Sequence, residues 1–333
     1  MSFKDIIGHQ KPIELLQRAM ANDRVVHSYL FLGNEGIGKR VVALQFAKAL
    51  NCLERKEGLA DACDECLSCK KIDDSLHPDV VVLEPEGPSR LIKVEALKQM
   101  QRDLAFRPFE ARYRVFILTA ADRMAPEISN TLLKTLEEPP VRTVIVLLAN
   151  SARSMLPTII SRCQQIRFNP LPLSSLSEWL VERQEWSEEE AHLLAALSEG
   201  SPGKALALRE QILQIPREEI LKGWLEEKTV SFGEIEKWVE LLPSDWESLV
   251  LILEVVKTLL RDLTVAKVMG KGAKLIHSDL VQEIEDLSSK RSLSSLLGQL
   301  EGIHRTRMSL NPTPRIVNTG LALEAMMLSW AEG

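Results

Sequence analysis

The sequence predicts a parallel α/β domain with a phosphate-binding loop, followed by an all-helical remainder. Three observations lead to this fold class. A glycine-rich turn joins a short apolar run to a helical pattern between residues 27 and 48. Apolar runs typical of buried strands then alternate with helical segments as far as residue 168, and strand signals stop from Pro170 onward. Such alternation builds a parallel sheet whose ligands bind at the carboxyl ends of the strands.

The composition describes an ordinary globular chain. Its 333 residues are 45% hydrophobic and 26% charged, and this length allows two or three domains with their own cores. The formal net charge of −6 means that any contact with nucleic acid is local or shared with other subunits. No apolar stretch approaches the ~20 residues of a membrane span, and the N-terminus lacks the apolar region of a signal peptide. We therefore expect a cytoplasmic protein without membrane contact.

A helix and a strand precede the glycine-rich turn. Within residues 3–23, Pro12 stands early in a segment whose apolar side chains recur at helical spacing, which predicts a packing helix. Tyr29–Leu32 is a short apolar run and predicts the first strand. After the turn, apolar residues at helical spacing predict a second helix: Val41, Val42, Leu44 and Phe46.

The turn matches the Walker A pattern G-x-x-x-x-G-K-[ST] except at its last position. Gly33, Gly38 and Lys39 occupy the required positions, and Gly36 adds a further flexible residue. Such a loop points backbone N–H groups at a phosphate from the start of a helix, which predicts a site for ATP or ADP. Arg40 stands where a hydroxyl normally ligates Mg²⁺, and its fixed positive charge repels the metal while still able to touch a phosphate. The alternative is a glycine turn that binds no ligand.

Four of the five cysteines cluster after the second helix. Two overlapping C-x-x-C steps and one cysteine a short loop upstream can surround one tetrahedral ion: Cys52, Cys63, Cys66 and Cys69. Because four protein ligands leave no open position for water, we expect a structural Zn²⁺ that stiffens this insertion. An iron–sulfur cluster and four free thiols are the alternatives.

The next two strands lack the carboxylates of a P-loop ATPase. Val80–Leu83 and Tyr113–Leu118 are apolar runs that predict buried strands. In P-loop ATPases the second such strand ends in an Asp that holds the Mg²⁺ shell, followed in many families by a Glu that activates water. Here the strand runs into Thr119 and Ala120, and Asp122 lies at least two residues too far. Together with the missing Walker A hydroxyl, these residues predict no intrinsic ATPase activity.

The remaining segments continue the alternation. Helical spacing predicts helices over Ile92–Leu104 and within 125–140, where a double proline stops the helix. Thr143–Leu148 predicts a strand that ends near Asn150, a polar group that can sense a γ-phosphate or merely cap the next turn. A short helix that starts at Leu156-Pro157, followed by a strand over Gln164–Phe168, completes the α/β part.

Beyond Pro170 we predict helices to the end of the chain. Three of them follow directly, the last opened by a glycine-rich turn at 200–204: Ser174–Arg183, Glu188–Leu197 and Ala205–Leu213. Leu249–Val265 is especially apolar, which is typical of a helix buried in a bundle or against a partner. We divide the chain into an α/β domain with the cysteine module, a small helical domain and an all-α domain: 1–169, 170–213 and 214–333.

Several motifs together resemble one known family. They are the near-complete Walker A sequence, the four cysteines, and three strings: LLKTLEEPP at Leu132–Pro140, LPTIISRC at Leu156–Cys163 and GSPGKAL at Gly200–Leu206. In this order they resemble the clamp loader of bacterial DNA polymerase III, a family of AAA+ proteins. A looser resemblance extends to NPTPRIVNTGLALEAMML at Asn311–Leu328.

Within that family the residues are most similar to the delta-prime subunits. These subunits lack a competent ATPase site but keep the zinc module and a Ser-Arg-Cys motif, whereas motor subunits keep the Walker A hydroxyl and the Asp-Glu pair. The resemblance implies an AAA+ domain with a zinc module, a helical lid and an all-α collar for oligomerisation. It also implies a non-catalytic stator that joins motor subunits and a delta subunit in a hetero-pentamer, which loads the sliding clamp on primed DNA.

The resemblance implies roles for two further residues. Arg162 is implied as an arginine finger that reaches the ATP bound by a neighbouring motor subunit and offsets charge on its γ-phosphate. The alternative interpretation of Arg162 is a surface arginine that pairs with a carboxylate of the same chain. Lys204 stands where the family often has an arginine as a second nucleotide sensor, and it keeps the charge without the bidentate fork.

Two other functions stay open at this point. One is a catalytically active AAA+ ATPase of DNA replication or repair, such as a motor-type clamp-loader subunit, which would need substitutes for the missing hydroxyl and both carboxylates. The other is a zinc-stabilised, nucleotide-sensing adaptor outside replication, which would not co-purify with a sliding clamp or with motor subunits.

Overall fold

The computed structural model describes residues 2–55, 60–85, 92, 94–104, 106–124, 126–225, 246–309, 325–328 and 330. The chain divides into two compact units, Met1–Pro172 with Ser201–Lys204 and Leu173–Gly200 with Ala205–Gly333. The division into three domains that the sequence predicts stays a prediction. Most of the Asn311–Leu328 segment, on which the looser resemblance rests, lies outside the described residues.

The first unit is built around a five-stranded parallel sheet. Its strands are β1 Ser28–Leu32, β2 Val80–Leu83, β3 Arg114–Leu118, β4 Thr143–Ala149 and β5 Gln164–Arg167, in the spatial order β2-β3-β4-β1-β5. In register, Tyr29 of β1 lies opposite Val146 of β4 and Gln164 of β5. The predicted strands are confirmed to within one residue at each end. The continuous apolar runs mark the three central strands, β1, β3 and β4, which are buried along their whole length.

Helices cover both faces of this sheet. They are α1 Gln10–Ala21, α2 Lys39–Asn51, α3 Leu67–Asp73, α4 Val94–Leu104, α5 Pro126–Glu137 and α6 Pro157–Ile160. Alternate residues of β1 face opposite sides: Tyr29 and Phe31 pack in a core with α1 and α2, whereas Leu30 and Leu32 pack in a core with α4, α5 and α6. The sheet therefore lies between two apolar layers, and the loops at its carboxyl edge extend from this fixed base.

The first helix begins shortly before Pro12, as predicted. Residues Phe3–Asp5 form a short 3₁₀ turn, and α1 starts at Gln10 after His9, which adopts a left-handed conformation with φ of 55°. Pro12 lies in the first turn of α1, where its missing N–H costs no helical hydrogen bond.

A buried carboxylate fixes the loop that leads into β3. Asp79 is fully buried and accepts hydrogen bonds from the backbone N–H groups of Phe109 (2.8 Å), Glu110 (2.8 Å) and Ala111 (3.0 Å). The Arg114 guanidinium also donates to it at 2.8 Å. Burial opposes ionisation of Asp79, but these donors hold its pKa below the usual value. Arg114, the one charged residue of β3 as predicted, thus pairs with a buried carboxylate that lies directly before β2.

The second unit is helical in its described part. Its helices are α7 Leu173–Gln184, α8 Glu188–Leu197, α9 Pro202–Leu213, which starts in the first unit, α10 Arg217–Trp224, α11 Trp246–Met269, α12 Val281–Lys290 and α13 Leu293–Ser309. The apolar segment Leu249–Val265 is confirmed as the buried centre of α11, which packs against α12 and α13. Across the described ranges, none of the helices combines the length and apolar character needed to span a membrane.

Candidate functional site

The glycine-rich loop follows β1 and ends where α2 begins. Gly36 and Gly38 have φ values of 72° and 111°, a region that side chains with a Cβ rarely adopt. A Cβ on Gly36 would also lie 2.7 Å from the backbone nitrogen of Lys204 and 2.8 Å from Oγ of Ser201. Glycine is therefore required at Gly36 by conformation and by space.

The GSPGKAL string packs on this loop. The Ser201 hydroxyl donates to the carbonyl of Glu35 at 2.8 Å, and the backbone N–H of Gly203 donates to the carbonyl of Gly36 at 2.8 Å. Helix α9 already begins at Pro202, so the predicted turn at 200–204 is shorter than expected and most of it is the first turn of a helix. Two motifs that lie far apart in sequence thus form one rigid corner.

This corner borders a cleft of about 630 Å³, a volume typical of small-molecule sites. Four of the residues predicted to bind nucleotide line it together: Gly36, Gly38, Lys39 and Arg40. Lining residues also come from the carboxyl ends of three strands, namely Glu84, Thr119 and Asn150. The residues fit a phosphate chain, because they combine positive-φ glycines at a helix start with cationic side chains.

Lys39 bridges the glycine-rich loop and the tip of β4. Its ammonium donates to the carbonyl of Gly33, to the carbonyl of Asn34 at 2.8 Å and to Oδ1 of Asn150 at 3.0 Å. Burial lowers the pKa of Lys39 to about 8, although the carboxylates of Asp122 and Glu35 act in the opposite direction. If a phosphate bound in the cleft, its charged oxygens would replace these neutral groups as acceptors for the Lys39 ammonium.

Arg40 points across the same cleft to the end of β2. Its Nη2 lies 2.5 Å from Oε1 of Glu84, and both side chains are about half exposed. A carboxylate that could otherwise attract a divalent cation is therefore paired with a guanidinium. Glu84 was missed by sequence reasoning, although a polar residue directly after a buried strand is a usable signal for a site at the sheet edge.

The tip of β3 carries no carboxylate at Thr119 or Ala120, the two positions where an ATPase holds its metal and activates water. Thr119 donates its hydroxyl to the carbonyl of Leu83 at 3.2 Å, and Ala120 adopts a left-handed conformation with φ of 51°. The next residues form a short 3₁₀ turn that carries Arg123 to the rim of the cleft, where it lies 3.5 Å from Glu35. Arg123 is a further residue that sequence reasoning did not identify.

The four clustered cysteines come together as predicted. The sulfur atoms of Cys52, Cys63, Cys66 and Cys69 all lie within 4.8 Å of one another. Zinc–sulfur bonds of about 2.3 Å place the corners of a tetrahedron roughly 3.8 Å apart, so this donor set fits a metal ion after a small contraction. Backbone N–H groups of Cys63 and Cys66 donate to the sulfurs of Cys52 (3.4 Å) and Cys63 (3.3 Å), which helps to fix the positions of these two sulfurs.

Charged side chains anchor the cysteine site to the sheet domain. Lys48 of α2 is fully buried, and its ammonium pairs with Asp64 and, at 2.7 Å, with Asp73. Asp64 lies between the first two cysteines of the C-x-x-C steps and Asp73 ends α3. These ion pairs tie both sides of the cysteine loop to α2.

Arg162 lies after α6 and has a local partner. Its Nη2 lies 2.7 Å from Oε1 of Glu137, the last residue of α5, and its Nη1 donates to the carbonyl of Thr158 at 3.0 Å. The side chain is 36% exposed, so part of it stays accessible to solvent. This geometry is the local pair that sequence reasoning gave as the alternative, and it leaves a role in trans as a prediction.

Lys204 stands in the first turn of α9, with its backbone against Gly36. Among the described residues, those that line the cleft do not include Lys204. Its role as a second nucleotide sensor therefore stays a prediction. His9 pairs through Nε2 with the carbonyl of Ile37 at 2.7 Å and supports the loop.

Comparisons with known proteins match most of the chain. The family described as "DNA polymerase III, delta subunit" matches residues 8–172, and the one described as "DNA polymerase III, delta subunit, C terminal" matches residues 229–332. DNA polymerase III subunit delta' of Bacillus subtilis is 30% identical over 96% of this chain and 95% of the relative. The delta' subunit of Pseudomonas aeruginosa is 31% identical over 92% of each.

A subunit of another type is similar over a shorter region. DNA polymerase III subunit tau of Bacillus subtilis is 30% identical over 216 residues, which cover 63% of this chain and 38% of that protein. The similarity to delta' subunits therefore extends along nearly the whole chain, whereas the similarity to tau is partial.

Proposed function

The chain belongs to the family of DNA polymerase III delta' subunits, and from this premise we propose that it is a non-catalytic stator of the clamp loader. In this role it supports ATP-dependent loading of a sliding clamp on primed DNA without hydrolysing ATP itself. The stator would hold a fixed interface while neighbouring subunits change state with their nucleotides.

The observation that carries this proposal is the ion pair between Arg40 and Glu84 inside the cleft. It puts a guanidinium where an ATPase needs a hydroxyl and a metal, and Thr119 and Ala120 stand at the neighbouring strand tip in place of the two carboxylates. Phosphoryl transfer depends on a metal that neutralises the developing charge and on a group that positions water. The cleft therefore supports binding better than hydrolysis.

Arg162 is the residue that we assign to catalysis in trans. Exposed ion pairs of this kind contribute about 0–1 kcal/mol, so a neighbouring nucleotide can draw the guanidinium away from Glu137 at little cost. An arginine finger supplied in trans can accelerate hydrolysis by about 10³-fold or more. The ATP would be bound by a motor subunit of the same ring.

The partners follow from the family. We infer a hetero-pentamer with motor subunits and a delta subunit, in which residues 214–333 form the collar that assembles the ring and 170–213 form a lid. Contact with the sliding clamp and with primed DNA would occur through the complex, in the cytoplasm. A structural zinc ion held by Cys52, Cys63, Cys66 and Cys69 would stabilise the cysteine module.

The first test is ATP hydrolysis with and without motor subunits. The isolated chain should show no Mg²⁺-dependent turnover, and its addition should raise turnover by the motor subunits. Arg162→Ala should still assemble but should lower that turnover by at least about tenfold, since it removes a charge that acts in the transition state. Steady-state turnover of the reconstituted complex measures this effect.

Glu137→Gln is the matched control for Arg162→Ala. If Arg162 serves only the local pair, both variants break it and should behave alike; if it acts in trans, only Arg162→Ala slows turnover. Equal turnover of the Arg162→Ala complex and the wild-type complex would defeat the role in trans. Robust turnover by the isolated chain would instead favour the alternative, a catalytically active, motor-type AAA+ ATPase.

A further inference from the structure

The cleft holds three cationic side chains at positions where a phosphate chain would lie. Lys39, Arg40 and Arg123 line it together with the glycine-rich loop. Its two lining carboxylates, Glu35 and Glu84, each pair with one of the arginines. The lining side chains thus carry one more positive charge than negative charge. The N-terminus of α2, which follows the glycine loop, contributes the positive end of its helix dipole.

The same arrangement disfavours a divalent cation. The Arg40 guanidinium lies 2.5 Å from Glu84, so a metal ion that approached this carboxylate would meet a fixed positive charge at contact distance. Thr119 already donates its hydroxyl to a backbone carbonyl. Mg²⁺ is usually held by one or two carboxylates together with phosphate oxygens, and these ligands are replaced or paired here.

We propose that the cleft binds the phosphate chain of a nucleoside di- or triphosphate without a divalent cation, with the Arg40 guanidinium in the place of Mg²⁺. The proposal rests on the nucleotide-binding part of the proposed function and deepens it. Arginine suits this place because its planar donors match phosphate oxygens in pairs, and because its charge does not depend on pH in the physiological range. Lys39 would meet the same phosphates from the loop side.

The ion pairs seen in the cleft are consistent with this exchange of partners. Arg40 and Glu84 are 54% and 45% exposed, and pairs in such surroundings are weak. A phosphate carries more charge than a carboxylate and accepts more hydrogen bonds, so it should draw Arg40 away from Glu84. Glu84 therefore acts as a competitor for the guanidinium.

The test is calorimetric titration of the full-length chain with ATP, once in EDTA and once in excess Mg²⁺. We expect ATP to bind in EDTA at least as tightly as in Mg²⁺, because the metal masks the charges that the arginines would contact. Adenosine, which has no phosphates, should bind much more weakly. Binding that requires Mg²⁺, or no binding in either buffer, would overturn the proposal.

Three variants sharpen this titration. Arg40→Ala should weaken ATP binding in EDTA by about 10- to 100-fold, as expected for loss of a charged hydrogen bond. Glu84→Gln should tighten it by about two- to fivefold, because it removes the competitor. Arg18→Ala is the matched control: Arg18 is an exposed arginine that also pairs with a glutamate, Glu14, but it lies on α1 outside the cleft lining.

Failure of this proposal is distinguishable from failure of the proposed function. If ATP does not bind in EDTA but Arg162→Ala still slows the motor subunits, only the claim about this cleft is lost. If ATP binds in EDTA but Arg162→Ala has no effect, the cleft proposal stands and the stator role with its arginine finger must be revised. An unchanged titration for both Arg40→Ala and Glu84→Gln would also refute the place given to Arg40.

Discussion

His277, in the second unit, is a fully buried imidazole held in its neutral form. Its Nδ1 accepts from the Arg217 guanidinium at 3.2 Å, and its Nε2 lies 3.0 Å from the Thr258 hydroxyl, which donates onward to the carbonyl of Val255. This network satisfies the neutral ring and offers no acceptor for a second ring proton at Nδ1. Burial lowers the pKa of His277 to about 4, although the carboxylates of Asp262 and Asp279 oppose the shift.

This lowered pKa predicts a loss of stability in mild acid. In the unfolded chain the imidazole takes up a proton below about pH 6.5, whereas in the fold it does so only near pH 4. The stabilising contribution is therefore complete above pH 6.5 and is lost as the pH falls from about 6.5 to 4, by roughly 3 kcal/mol at most. Urea unfolding monitored by helical circular dichroism at pH 7.5 and pH 5 measures the change.

His277→Asn is the comparison that isolates this effect, because asparagine can hydrogen-bond but does not titrate. His9 and His77 in the first unit also have pKa values lowered by burial, so both proteins should lose some stability in acid. The wild type should lose more than the variant between the two pH values. Equal losses would mean that the protonation of His277 does not contribute.

At the scale of single residues, the sequence predicts identities at motif positions but not their partners. Lys39, Arg40 and the four cysteines follow from spacing, because a glycine loop or a tetrahedral thiolate site needs fixed intervals along the chain. The pairing of Arg40 with Glu84 joins the first turn of α2 to the end of β2, although β3 and β4 lie between β1 and β2 in the folded sheet. Such contacts require the strand order, which periodicity does not encode.

The cysteine module is the element whose stability we expect to depend most on a ligand. Metal analysis should find about one zinc per chain, and Cys66→Ser should lower this content and expose the segment 52–73 to proteolysis, because three ligands hold zinc more weakly than four. The sheet should stay folded, since its two apolar cores do not depend on the metal. Metal content and limited proteolysis, read together, measure both effects.

Cys163→Ser is the matched control for the cysteine module. Cys163 is buried and is the fifth cysteine, but it belongs to the core on the other face of the sheet and is not part of the cluster. This variant should keep its zinc. A well-folded wild-type protein without zinc, or equal zinc loss in both variants, would contradict the assigned ligand set.

At the scale of elements, types are predicted better than boundaries. The first four strands follow from apolar runs, and α1 begins shortly before Pro12 as predicted, whereas α9 begins earlier than its periodicity suggests. The start of α1 is set by the left-handed backbone of His9, and the start of α9 by the contacts of Ser201 and Gly203 with the glycine loop. Both helix starts depend on local backbone geometry or on tertiary contacts, and the spacing of hydrophobic residues contains no information on either.

At the scale of the whole molecule, the structure groups residues that the sequence separates. Composition favours a boundary near Pro170, yet Ser201–Lys204 belongs to the first compact unit because it packs on the glycine loop. A fragment meant to keep the sheet unit intact must therefore extend beyond Lys204.

The fragment 1–215 tests the assignment of the last third of the chain to ring assembly. It retains both cores of the sheet, the cysteine site and the GSPG corner, so it should unfold cooperatively and keep its zinc. It lacks α11, the long buried helix that organises the described part of the second unit, and should fail to co-purify with motor and delta subunits. Size-exclusion chromatography of the mixed subunits measures this loss.

The Arg162→Ala full-length chain is the control for this fragment, because it should lose the stimulation of ATP turnover while keeping assembly. If the fragment fails to assemble and the variant assembles, then assembly and catalytic support lie in different parts of the chain, as the stator role requires. A folded fragment that still enters the complex would show that the sheet unit itself carries the dominant interface. The collar assignment for 214–333 would then be wrong.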